Sequence, residues 1–94
     1  MNFEYTSINK VFNADDDLIK EIAINNNIVC PAIKKMSISC DKDFEVYINN
    51  KKVLIKKDFG FETSYDDPAI KSFKIATDNV SIYAIITYMA RGVE

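Results

Sequence analysis

The sequence predicts an all-β domain, an antiparallel β-sandwich or small barrel of about six to eight strands. Three observations carry this. Short segments rich in Ile, Val, Phe and Tyr recur along the chain, and these residue types favour pleated, half-buried surfaces. Within them apolar and polar residues alternate with period two. Between them stand Asn and Asp clusters, which tolerate left-handed backbone and bond their own main chain. These are Asp15-Asp16-Asp17, Asn25-Asn26-Asn27, Asn49-Asn50, Asp66-Asp67-Pro68 and Asp78-Asn79. At 94 residues, 48% apolar and 28% charged, the chain fits one folded domain spanning 1–94.

The first strand is expected over Phe3 to Phe12. Residues 18–24 read two ways. Leu18, Ile19 and Ile22 have helical spacing, with Asp17 as an N-cap. As a strand, Leu18, Ile22 and Ile24 share a face, and the β-branched Ile content together with the β character of every neighbour favours strand. A strand follows in which Met36, Ile38 and Cys40 oppose Lys35, Ser37 and Ser39. Phe44, Val46 and Ile48 then alternate with Asp43, Glu45 and Tyr47. A two-residue loop at Asn49-Asn50 would set Val46 against Val53, Phe44 against Ile55 and Asp43 against Lys56.

Asp58-Phe59-Gly60 spells the magnesium-binding triplet of protein kinases, but the remaining kinase elements need far more chain. A turn with Gly60 in a conformation other residues avoid is expected, with Phe59 and Phe61 on one face. A second hairpin is expected about Asp78-Asn79, pairing Thr77 with Val80, Ile75 with Ile82, Phe73 with Ala84 and Lys71 with Ile86. Its inner face would carry Phe73, Ile75, Val80, Ile82, Ala84, Ile86 and Tyr88. Its outer face would carry Ile70, Tyr83, Ile85 and Met89 beside Ser72, Lys74 and Thr87.

Several functional classes find little support. The chain contains no His, the commonest general base and metal ligand, and no nucleophile–base pair or phosphate loop is evident. Twelve cations against fourteen anions leave −2, and Arg91 is the one arginine, so no nucleic-acid footprint is expected. The lysine pairs Lys34-Lys35, Lys51-Lys52 and Lys56-Lys57 read as solubilising, edge-protecting charges. Cys30 and Cys40 cannot complete a zinc site alone. They are expected as free, half-buried thiols, with a single disulfide as the alternative. The Asp clusters read as solvated turns, with calcium as the less favoured reading. No cofactor, structural metal or small-molecule ligand is expected. No run is long and apolar enough for a membrane span. No secretory leader is seen, so the chain is expected in the cytoplasm when synthesised.

The stretches PAIKKMSISCDKDFEVYINNKKVLI and DFGFETSYDDPAIKSFKI, followed by VSIYAIITY, resemble small all-β virion proteins of bacteriophages. The likeness covers residues 18–89 and lies in the texture of strands and Asn-rich turns. It implies a capsid, head–tail or tail accessory role in an assembled particle, and transfers no catalytic residue.

The expected function is therefore a non-enzymatic assembly protein, contacting copies of itself or other virion proteins. A carbohydrate- or cell-surface-binding module is the alternative, and a small regulator of one host protein is a third reading. The candidate contact residues are Ile70, Tyr83, Ile85 and Met89 on the outer side of the second hairpin, with Tyr47 on the polar side of its own strand. Tyr65 lies in a loop. Apolar side chains left on a sheet face that should be solvated usually mark an interface.

Overall fold

The computed structural model describes residues 2–28, 32–64, 66–67 and 70–90. In chain order the elements are β1 (Asn2–Phe12), α1 (Leu18–Asn26), β2 (Ala32–Cys40), β3 (Phe44–Ile48), β4 (Lys51–Ile55), β5 (Phe61–Glu62), β6 (Phe73–Ile75) and β7 (Val80–Ala90). They form two antiparallel sheets in a small sandwich, one ordered β1-β7-β2-β5 and the other β4-β3-β6. The all-β expectation holds.

The core lies between the sheets and follows period-two alternation. From the four-stranded sheet come Ile8 and Phe12 of β1, Met36 and Ile38 of β2, and Val80, Ile82, Ala84, Ile86 and Tyr88 of β7. Phe44, Val46, Ile55, Phe73 and Ile75 face them from the three-stranded sheet. The β3–β4 hairpin has the expected register, with Val46 opposite Val53 and Phe44 opposite Ile55. Asn49 and Asn50 both take positive φ, 50° and 69°, as a two-residue turn matched to strand twist requires. Just beyond the hairpin, Lys56 Nζ lies 3.4 Å from Asp43 Oδ2.

Residues 18–26 are helical, which corrects the strand expectation for this segment. The Asp17 carboxylate accepts hydrogen bonds from the Ile19 and Lys20 amides at 2.8 and 3.3 Å, satisfying donors that a helix start leaves open. Leu18, Ile19 and Ile22 are buried, whereas Ile24 is 72% exposed. A strand would have carried Ile24 inward with Leu18 and Ile22. Asn27 closes the helix in the left-handed region, and the Ile28 amide bonds back to the Ala23 carbonyl at 3.0 Å.

The second expected hairpin is also corrected. β6 pairs with β3, setting Ile75 opposite Val46 and Phe73 opposite Ile48. β7 pairs with β1 and β2 instead. The chain between Ile75 and Val80 crosses from one sheet to the other as an arch. The Ala76 amide bonds to the Glu45 carbonyl at 2.9 Å, and the Glu45 amide bonds to Thr77 Oγ1 at 2.9 Å. Phe73 and Ile75 turn into the core as expected, but their strand neighbour is β3 and not β7.

Candidate docking face

The outer face of the four-stranded sheet combines odd-numbered residues of β1 and β7. In register, Phe3 lies beside Met89, Tyr5 beside Thr87, Ser7 beside Ile85, Asn9 beside Tyr83 and Val11 beside Ser81. Five large apolar or aromatic side chains of this face are exposed: Phe3, Tyr5, Val11, Tyr83 and Ile85. Tyr5 is the most open at 80%. The neighbouring half of the same face is polar, with Lys35, Ser37 and Ser39 on β2 and Glu62 on β5. The face is thus divided lengthwise, and its apolar half borders the edge formed by β1.

The five candidate contact residues are separated by the fold. Tyr83, Ile85 and Met89 lie together on this face, as expected. Ile70 does not join them. It is buried, 6% exposed, and forms an isolated antiparallel bridge with Ile33, so at this residue the chain lies against β2 instead of pairing with β7. Tyr47 is on the opposite outer face of the sandwich, between Lys52 and Lys74 in register. That face is charged, with Lys52 3.4 Å from Glu45 and Lys74 3.5 Å from Asp15.

Phe3, Tyr5 and Val11 are not legible in the sequence as members of this face. In β1 the inward set includes Glu4, Thr6 and Lys10 as well as Ile8 and Phe12, so alternation marks no clean face. The apolar odd positions of β1 become a surface only through their registration beside β7.

The Asp clusters tie loops together at one end of the sandwich. Asp16 Oδ2 accepts the Asn13 amide at 2.8 Å, Asp78 Oδ1 accepts the Ala14 amide at 2.9 Å and Asp41 Oδ1 accepts the Ser81 amide at 2.9 Å. Asp43 Oδ1 accepts the Lys57 amide at 2.9 Å, and this bond, with help from Lys56, holds the Asp43 carboxyl below its ordinary pKa. Among the described residues no three His, Cys, Asp or Glu side chains gather as a metal site.

Cys40 is a free thiol, and partial burial pushes its pKa upward, with Asp41 and Asp43 adding to the effect. Cys30 and Tyr65 lie outside the described residues. Burial, and then a 3.2 Å hydrogen bond donated to Glu4 Oε1, raises the Tyr88 phenol.

Asp58-Phe59-Gly60 forms the turn expected, with Gly60 at φ 73°. Phe59 and Phe61 do not share a face, however. Phe59 is 92% exposed, while Phe61 packs against the core, because the left-handed Gly60 between them breaks the strand alternation. An open hollow beside the β3–β4 turn is lined by Asn49, Asn50, Lys71 and Ser72. There Asn49 Oδ1 accepts the Lys71 and Ser72 amides at 2.7 and 3.2 Å, so the hollow is a loop junction. Among the described residues no helix is long and apolar enough to cross a membrane. Comparison of the chain with family models, with curated proteins and with solved structures finds no match in any of the three.

Proposed function

We propose that this chain is a non-enzymatic assembly module that docks to other subunits through the outer face of its four-stranded sheet. The observation that carries the reading is the exposed set Phe3, Tyr5, Val11, Tyr83 and Ile85, gathered on one half of one face. The second sheet of the sandwich packs on the other side of β7, so it does not cover these residues. Fully burying a large apolar side chain is worth roughly 1.5–3 kcal/mol; Phe3, Val11, Tyr83 and Ile85 are already about half covered, at 44–49% exposed, so each stands to gain about half of that from a partner. The phage-particle setting comes from the sequence resemblance, with other copies or other virion proteins as the partners it implies.

Ile85→Lys tests the reading. Ile85 lies outward at the centre of the sheet, so the folded subunit should tolerate lysine while an assembly through this face dissociates. Light scattering and thermal melting, read together, should show lost assembly with little change in stability. A wild-type chain that is monomeric at tens of micromolar and recovers no particle proteins on mixing would overturn it.

Carbohydrate binding is the second reading, favoured by Tyr5 and Tyr83 lying exposed on the same face. Glycan binding lost in both Tyr5→Ala and Tyr83→Ala would select it over assembly.

A further inference from the structure

The edges of the two sheets are not equally protected. Natural sheets blunt their edges by keeping them short, charged or covered, because an open edge is a template for another strand. β5 has only two residues. β6 is covered by the β1–α1 loop, with the Asp15 amide bonded to the Ile75 carbonyl at 2.8 Å and the Ile75 amide to the Asp16 carbonyl at 2.7 Å. β4 carries Lys51 and Lys52 in a five-residue strand. β1 is eleven residues long, and among the described residues the sheets pair it with β7 alone.

The side chains of β1 are complementary to themselves. In an antiparallel pair of β1 strands centred on Ser7, Glu4 of each copy faces Lys10 of the other. Phe3 faces Val11, Tyr5 faces Asn9 and Thr6 faces Ile8. A two-fold axis normal to the sheet keeps both outer faces on one side, so odd residues must meet odd residues. Centring on Thr6 or Ile8 would leave both charges opposite uncharged residues. Both charged side chains reach solvent but already have contacts within the subunit. Glu4 is exposed and accepts the Tyr88 hydroxyl at 3.2 Å, and the Lys10 side chain is 40% exposed with its ammonium 3.0 Å from Glu21 and over the Phe12 ring. The same pairing would bring the apolar halves of two outer faces together at the centre, with the polar β2 and β5 halves outermost.

We infer that the protein forms a two-fold dimer by antiparallel pairing of β1 with β1 of a second copy about Ser7, joining two four-stranded sheets into one of eight strands. This rests on the assembly reading and names the first partner and the contact geometry. Directly opposed residues in a strand pair have Cβ atoms about 4.5–5.5 Å apart, close to disulfide reach.

The test uses the full chain with Cys30→Ser and Cys40→Ser. Ser7→Cys should form a disulfide-linked dimer under mild oxidation, whereas Asn9→Cys, which faces Tyr5, should remain largely uncrosslinked. Lys10→Glu should weaken dimerisation at least about tenfold by equilibrium sedimentation, since like charges directly opposite destabilise strand pairs. Adding Glu4→Lys should restore it, with circular dichroism confirming the fold of each variant. Equal crosslinking of Ser7→Cys and Asn9→Cys, or no crosslinking of Ser7→Cys, would overturn the register. If Ile85→Lys dissociates an assembly that Lys10→Glu leaves intact, edge pairing fails while the docking face stands.

Discussion

Phe61 and Phe73 pack with ring centroids 6.0 Å apart and planes inclined at 50°, one from the four-stranded sheet and the other from the three-stranded sheet. The pair is a side-chain contact between the two sheets beside β5, a strand of two residues. Tilted aromatic pairs of this kind add about 0.5–1.5 kcal/mol beyond area burial.

Phe73 is fully buried. Phe73→Ala is expected to cost about 3–5 kcal/mol, a large part of the stability typical of a domain this size. Phe61→Leu, at a partly exposed site, should cost far less. Urea denaturation of the two variants checks the order, and equal losses would count against Phe73 as the central member.

Gly60 sits where a Cβ would lie 2.9 Å from the Ile38 carbonyl oxygen, with φ at 73°. Gly60→Ala should therefore lose about 1–3 kcal/mol through backbone strain and the close approach, lowering Tm by roughly 4–8 °C per kcal/mol. Phe59→Ser, one residue away at a 92% exposed position, should melt within a few degrees of the parent. The contrast separates a structural turn from a functional use of the Asp58-Phe59-Gly60 triplet.

Removing the α1 cap by Asp17→Ala should destabilise the protein by about 1 kcal/mol. Ile24→Lys should be nearly neutral, since Ile24 faces solvent, whereas Ile22→Lys should prevent folding. Thermal melts of the three variants report the helix directly. A large loss from Ile24→Lys would instead favour the extended conformation.

Asp43 has a folded-state pKa lowered mainly by the Lys57 amide and next by the Lys56 side chain. Its contribution is fully present above the unfolded carboxyl pKa, and is lost as pH falls through the lower folded value. An NMR titration should show the Asp43 carboxyl and the Lys57 amide moving together, with a midpoint below the ordinary 3.8. Asp43→Asn should abolish that shared acidic transition. A midpoint at or above the ordinary value would show that the bond does not persist in solution.

The strand alternation of Met36–Cys40, Phe44–Ile48 and Val80–Tyr88 determined by itself which side chains turn inward, because successive residues of a strand point to opposite faces whatever lies beside it. The Asn49-Asn50 hairpin was equally legible. A two-residue turn fixes both partner and register locally, and its asparagines tolerate the positive φ it needs.

Tertiary structure decided what local pattern leaves free. Period two assigns a face without naming a neighbour, so Phe73 and Ile75 turned inward as expected yet paired with β3, while β7 took the centre of the other sheet. Leu18–Asn26 became a helix because Asp17 caps its first turn and the fold buries Leu18, Ile19 and Ile22 while leaving Ile24 in water, outweighing the β preference of its isoleucines. The candidate docking face belongs to the same class. Tyr83 and Ile85 stand out in the sequence, but Phe3, Tyr5 and Val11 are 72 to 82 residues distant, and only antiparallel pairing of the two longest strands lays them on one surface.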